Sequence, residues 1–210
     1  MRKKYPRTPH VPFSPGATND DKVLKSLAHF KGKKVVITIK MDGENTTLYR
    51  DGFHAKSIDS PHHPSRDWVA RYQAEVGYNI PEGWRVCGEN LYARHSLFYT
   101  DLPTYFMAFS VWNERNRALS WDDTIETLQL LDIHCVKVVY RGIFDEAILR
   151  RLAAELNLAV DEGLVVRLDE EFAYEDFGKS VAKWVRADHV GTDEHWMHQA
   201  VTPNKLLGQE

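Results

Sequence analysis

Apolar and polar positions along the chain fall into short stretches that separate strand texture from helix texture. Val35-Val36-Ile37-Thr38-Ile39 is β-branched throughout and predicts a strand. Thr46-Thr47-Leu48-Tyr49 follows, with Asp51-Gly52 as a tight-turn signal before Phe53, and the whole reads as paired antiparallel strands. Trp68, Val69, Tyr72 and Val76 recur at helical spacing behind Ser65, the expected cap. Aromatic-rich strands are predicted at residues 84–92 and 105–112. Ser120 before Trp121-Asp122-Asp123 marks an N-cap with an acidic first turn, and Ile125, Leu128 and Leu131 continue that helix. A strand at 136–140 precedes a helix opened by Asp145 and carried by Ile148, Leu152 and Leu156. Strands are expected again at 163–168 and 181–185, with a short helix at 194–200.

Strands separated irregularly by helices predict an α+β fold, antiparallel β-sheets with flanking helices, rather than alternating βαβ units. Pro6, Pro9, Pro12 and Pro15 favour an extended strap over residues 5–16, which either wraps the core or contacts substrate. The expected organisation is a strap and lead-in at 1–32, one domain at 33–188 and a short tail at 189–210. The residues after Arg186 are too few for a five-stranded OB barrel.

Composition narrows the class. Hydrophobic residues at 43% and charged residues at 27% are those of a globular protein. A net charge of -3 gives no global attraction to nucleic acid, so any such binding rests on a local basic surface; Arg66, Arg71, Arg94 and Arg115 are candidates for one. Cys87 and Cys135 lack partners at zinc-ligand spacing. His62-His63 and the pair His195 and His198 lack a complete ligand set, and surface or packing roles are expected for them. The chain shows neither a signal peptide nor an apolar run of membrane length, so a cytoplasmic protein without membrane contact is expected.

The chemistry concentrates in five segments. They are Lys40-Met41-Asp42-Gly43-Glu44-Asn45, Cys87-Gly88-Glu89-Asn90-Leu91, Phe106-Met107-Ala108-Phe109, Glu162-Gly163-Leu164-Val165-Val166-Arg167 and Val181-Ala182-Lys183-Trp184-Val185-Arg186. In this order they resemble the successive motifs of the covalent nucleotidyltransferases: DNA ligases, RNA ligases and capping enzymes. Tyr5-Pro6-Arg7-Thr8-Pro9-His10 and Gly43-Glu44-Asn45-Thr46-Thr47-Leu48-Tyr49 bring the resemblance closest to ATP-dependent RNA ligases of the nick-sealing phage type and their bacterial relatives.

That resemblance implies a nucleotidyltransferase core, akin to the adenylation domain of ligases, in which Lys40 attacks ATP to form a lysyl-AMP. Lys183 and Lys56 are expected on the phosphates, with Lys179 and Arg186 as helpers. Glu89 and Glu162 are expected to bind ribose and a Mg2+ or Mn2+ ion, Asp42 and Gly43 to shape the loop beneath the nucleotide, and Phe109 to stack on adenine. The implied partner is RNA with 5'-phosphate and 3'-hydroxyl ends, with an end-healing kinase or phosphatase beside it. DNA ligase or capping chemistry is the nearest alternative, and a catalytically silent nucleotide- or RNA-binding module the more distant one. Where many such RNA ligases carry a glutamate before the nucleophile this chain has Ile39, so adenine selectivity is expected to rest on other groups.

Overall fold

The computed structural model describes residues 1–187 and 201–209; the helix expected at 194–200, His195 and His198 lie outside the described residues. Two antiparallel sheets carry the fold. The first holds, in spatial order, β7 (Val138–Ile143), β1 (Lys34–Lys40), β8 (Gly163–Leu168) and β10 (Val181–Val185). The second holds β3 (Gly52–His54), β2 (Glu44–Tyr49), β4 (Arg85–Asn90), β5 (Phe106–Trp112), β6 (Arg117–Ala118) and β9 (Phe172–Ala173). The α+β expectation with flanking helices therefore holds.

Period-2 alternation divides each sheet into a packed face and a cavity face. Val35, Ile37, Ile39, Leu164, Val166, Ala182 and Trp184 pack beneath α3 (Glu146–Glu155), which contributes Leu149 and Ala153. In the second sheet Leu48, Val86, Phe106, Ala108 and Val111 pack against Val69 of α1 (Asp67–Val76) and Leu128 of α2 (Trp121–Leu130). Complete burial of a side chain such as Ile37 contributes roughly 1.5–3 kcal/mol each time.

Two expectations are corrected. β1 and β2 do not pair with each other: β1 lies between β7 and β8, whereas β2 lies between β3 and β4. The residues Met41 to Gly43 carry the chain from one sheet to the other, because both hydrogen-bonding edges of β1 are taken, by β7 and β8. Ser65 does not cap α1. It belongs to a short 3-10 turn, Pro64–Arg66, where its hydroxyl lies 2.7 Å from His63 Nδ1, and Arg66 occupies the cap position without a side-chain bond. Ser120 and Asp145 do cap α2 and α3, accepting from the amides of Asp123 and Ala147.

The strap wraps the core, and its first residues reach the cavity. Val11 N donates to Lys183 O at 2.8 Å, Lys183 N to Pro9 O at 2.9 Å and Gly16 N to Val185 O at 3.0 Å, so it covers the edge of β10. Pro9 lacks an N–H and offers β10 its carbonyl alone. Tyr5, Pro6 and Arg7 then line the cavity between the sheets. Residues 201–209 return to the loop after β4, where Asn204 N donates to Tyr92 O at 2.8 Å and the Asn204 side chain accepts from Tyr99 N at 2.9 Å.

Candidate active site

A cavity of about 880 Å3 opens between the two sheets, and all eight residues expected to bind or act on a nucleotide line it. Lys40, at the end of β1, is in register with Gly163 at the start of β8, which sets it beside Glu162. Its Nζ donates to Glu162 Oε2 at 2.5 Å, and Glu162 is 1% exposed. Gly163 is needed at this register: a Cβ there would lie 2.0 Å from Trp184 O of β10.

The protonation of Lys40 departs from a simple primed nucleophile. Burial alone would favour the neutral amine, but the carboxylates of Glu162, Glu89 and Asp42 outweigh it and hold the ammonium above its ordinary range. Lys40 is thus stored as an ion pair. Lys183 is different: burial, with the Lys40 and Lys56 ammoniums beside it and Asp21 and Glu162 opposing, pushes it down to about 8.

Glu89 projects from β4 into the same space. Burial, with Glu162 and Asp42 adding to it and Lys40 opposing, pushes its carboxyl up to about 8. A carboxyl that resists ionisation favours an added cation, and oxygen donors suit magnesium or manganese. Among the described residues no three His, Cys, Asp or Glu side chains form a direct ligand set. Glu89 and Glu162 are the cavity's oxygen donors that could hold such an ion.

Asp42 lines the cavity with its carboxylate already engaged by protein donors. Its Oδ2 accepts from Ser96 Oγ at 2.7 Å and from Leu97 N at 2.6 Å, while its own amide donates to Tyr99 Oη at 2.9 Å. It fixes the loop after β4. Gly43 lets the chain approach β4, since a Cβ would lie 2.5 Å from Asn90 O.

Phe109 reaches the cavity through a β-bulge. Along the β4–β5 ladder Gly88 faces Ala108 and Cys87 faces Ser110, which skips Phe109. Phe109 and Ser110 consequently both line the cavity, while Phe106, Ala108 and Val111 join the core. Tyr5 of the strap meets the Phe109 ring edge to face, with centroids 5.2 Å apart.

The helpers and the proposed groove fare differently. Arg186 is half-buried at the rim, where it donates to Ser96 Oγ at 3.3 Å, and Lys179 is exposed outside the lining. Arg66 is buried against Glu44, Arg94 lies over the Phe98 ring, Arg115 faces Glu114, and none of these lines the cavity, nor does Arg71. The set therefore contributes nothing to this cavity.

Sequence reasoning quoted Arg167 in a motif without giving it a role. It is 4% exposed, packs over the rings of Trp121 and Phe172, and donates to Leu119 O and Leu168 O, yet its Nη1 has no hydrogen-bond partner. Burial pushes this guanidinium down to about 10. A lone arginine in the otherwise apolar strand Leu164-Val165-Val166-Arg167-Leu168 was the available signal.

With the geometry described, comparison with known proteins adds the family. A sequence model of the RNA ligase family matches residues 33–185. No curated protein sequence matches the chain. Among solved structures, a lysine-to-alanine variant of Naegleria gruberi RNA ligase with ATP and Mn superposes with a TM-score of 0.57 at 18% identity, covering 76% of this chain and 52% of that one. A second such variant with ATP and Mn gives 0.57 at 13% identity over 89% and 61%. A lysine-to-methionine variant with AMP and Mn gives 0.53 at 17% identity over 76% and 52%. This chain spans about half the length of those structures, and at such identities the likeness is one of fold. Among the described residues no helix is long and apolar enough to cross a membrane. A family match running from the lead-in to β1 through the last residue of β10 encloses Lys40, Glu89, Glu162 and Lys183 together, and the chain belongs to the RNA ligase family.

Proposed function

We propose that the chain is an ATP-dependent RNA ligase with a nucleotidyltransferase core, working through a lysyl-AMP on Lys40. The observation that carries this is the convergence of Lys40, Lys56 and Lys183 with Glu89, Glu162 and Phe109 on one cavity. Three displacements at phosphorus make up the reaction. The Lys40 Nζ lone pair forms a bond to the ATP α-phosphorus as the bond to the β-phosphate oxygen breaks and pyrophosphate leaves. A 5'-phosphate oxygen then takes the AMP, returning the electron pair to Nζ. A 3'-hydroxyl finally attacks that 5'-phosphorus and AMP departs. RNA broken with other ends would first need a kinase or phosphatase.

Lys40 must lose a proton before it attacks, and Glu162 Oε2, 2.5 Å away, is the nearest acceptor. Glu89 and Glu162 would hold a dication, whose positive charge would offset their hold on the ammonium and favour the neutral amine. Lys183 and Lys56 present positive charge where it accumulates on the departing pyrophosphate. Phe109 offers its ring to the base; Phe109→Ala is expected to raise the half-saturating nucleotide concentration on the order of tenfold in a titration of adduct formation.

The base end of the cavity supports a second arm. Ile39, whose side chain packs beneath α3, supplies no carboxylate to an adenine amino group. Capping-type chemistry with GTP is the reading this would favour. Intact mass of the protein after incubation with magnesium and either nucleotide decides. An AMP-sized gain with ATP supports the ligase, a gain with GTP alone supports the capping reading, and none with either supports a silent binding module.

The pH dependence isolates Lys183. Its ammonium is the active form, so kcat/KM for adduct formation is expected to decline as pH rises through about 8. Lys183→Arg, which stays charged, should lose that decline. Glu89 titrates over the same range with the opposite sign, so the comparison of the two proteins, rather than one profile, carries the test.

A further inference from the structure

Four cations and no acid occupy residues 2–7 of a chain whose net charge is -3. Their backbone is clamped by side chains of the second sheet and its neighbourhood. Lys3 N donates to Tyr49 Oη at 2.8 Å, and Tyr49 Oη donates to Lys3 O at 3.1 Å, using both capacities of that hydroxyl. His54 Nε2 lies 3.2 Å from the same carbonyl, and Tyr174 Oη donates to Lys4 O at 2.8 Å. The side chains are left outward. Lys3 and Lys4 are exposed, and among the described residues neither has a carboxylate partner. Arg2 lies over the Tyr49 ring and meets Asp51, and Arg7 donates to Asp20 O.

Position gives this segment a direction. Tyr5 and Pro6 turn into the cavity, Lys4 and Arg7 line its wall with Lys56, and Arg2 reaches the turn between β2 and β3. Five extended steps span about 17 Å. One strand of a double helix presents a phosphate about every 3.4 Å along its axis, so this length follows about five phosphates. A merely solvated basic face needs no fixed backbone; here the backbone is held at Lys3 and Lys4, and Lys4 and Arg7 line the cavity that holds Lys40.

We infer that Lys3 and Lys4, with Arg2 and Arg7 flanking them, form a fixed cationic rail that takes the phosphate backbone of the polynucleotide and delivers its end to the cavity. The rail rests on the ligase reading for its substrate but not for its test. The test uses the full chain with Lys3→Gln/Lys4→Gln and the charge-preserving Lys3→Arg/Lys4→Arg. Fluorescence anisotropy with a 5'-phosphorylated RNA between 50 and 200 mM salt reads binding, and intact mass with ATP and magnesium reads adduct formation separately; the salt range is the one over which phosphate contacts show most clearly.

The Gln pair is expected to weaken RNA binding on the order of tenfold at low salt and to lower the slope of log affinity against log salt by about 1.4–1.8, two contacts at roughly 0.7–0.9 each. The Arg pair should bind like the parent and keep adduct formation within about twofold. Parent-like affinity and slope in the Gln pair would overturn the rail even if ligation is confirmed. Loss of binding in the Gln pair, in a parent that forms no adduct, would uphold the rail and sink the ligase reading. Should the Gln pair fold poorly, acetylation of Lys3 and Lys4 in the parent takes its place: RNA protects both if the rail is right, and leaves them as reactive as before if it is wrong.

Discussion

Lys40→Ala protein is expected to gain no AMP-sized mass under any nucleotide and metal condition, and its overall sealing of 5'-phosphorylated RNA should drop by on the order of 10^3 or more. Removal of an attacking group commonly costs this much, because the remaining cations can position phosphates but cannot form the covalent bond. Two controls separate chemistry from folding. Sealing of RNA already carrying a 5'-adenylate needs no nucleophile, so Lys40→Ala should retain most of it. Its melting temperature should move as well, since loss of the ammonium leaves Glu162, 1% exposed, without its 2.5 Å partner. A protein that seals pre-adenylated RNA yet still acquires AMP after Lys40 is removed would place the nucleophile elsewhere.

The largest expected effect on stability lies at Glu44 and Arg66. Their side chains are 9% and 7% exposed and meet in a two-pronged pair: Arg66 Nε donates to Glu44 Oε2 at 2.8 Å and Nη2 to Glu44 Oε1. Arg66 Nη1 also donates to Pro61 O at 2.6 Å. Glu44→Ala strands a buried guanidinium and is expected to cost roughly 3–5 kcal/mol. For a chain of this size that is a melting temperature lower by on the order of 10 °C. Replacing both residues, Glu44→Leu with Arg66→Met, should cost much less, because no uncompensated charge remains. Thermal melts of the two singles and the double give the coupling directly. A Glu44→Ala protein melting within 1–2 °C of the parent, roughly 0.5 kcal/mol, would show that water reaches the site.

Much of this was readable from residue order, and the failures share a cause. Strand texture and the Ser120 and Asp145 caps depend on local spacing, which a sequence displays, while a shared site for the five motif segments was implied by the resemblance alone. The separation of β1 from β2 does not. Three residues between two β-branched runs look like a hairpin, whereas the partners that claim β1, at Gly163 to Leu168 and Val138 to Ile143, are far along the chain. Arg66 was misplaced for a similar reason: nothing near it signals that Glu44 waits across the fold. The charge state of Lys40 was also out of reach, because burial and three carboxylates act on it in opposite directions and only their relative sizes decide. Phe109 was placed on the face opposite Phe106 as alternation requires, but alternation then assigns Ser110 and Val111 to the wrong sides, since it has no term for a skipped residue.

That skipped residue makes the wall of the cavity separable from the core behind it. Ser110 already stands opposite Cys87, so a chain one residue shorter, lacking Phe109, would keep Val111 and Trp112 on their present sides and leave the ladder to β4 continuous. The core can be built without the extra length. Shortening at this point should therefore yield a folded protein with a straighter, less twisted strand and no ring to offer a base. Substitution elsewhere in β5 carries no such immunity, because every other position is counted twice, once by its ladder partner and once by the layer it packs into.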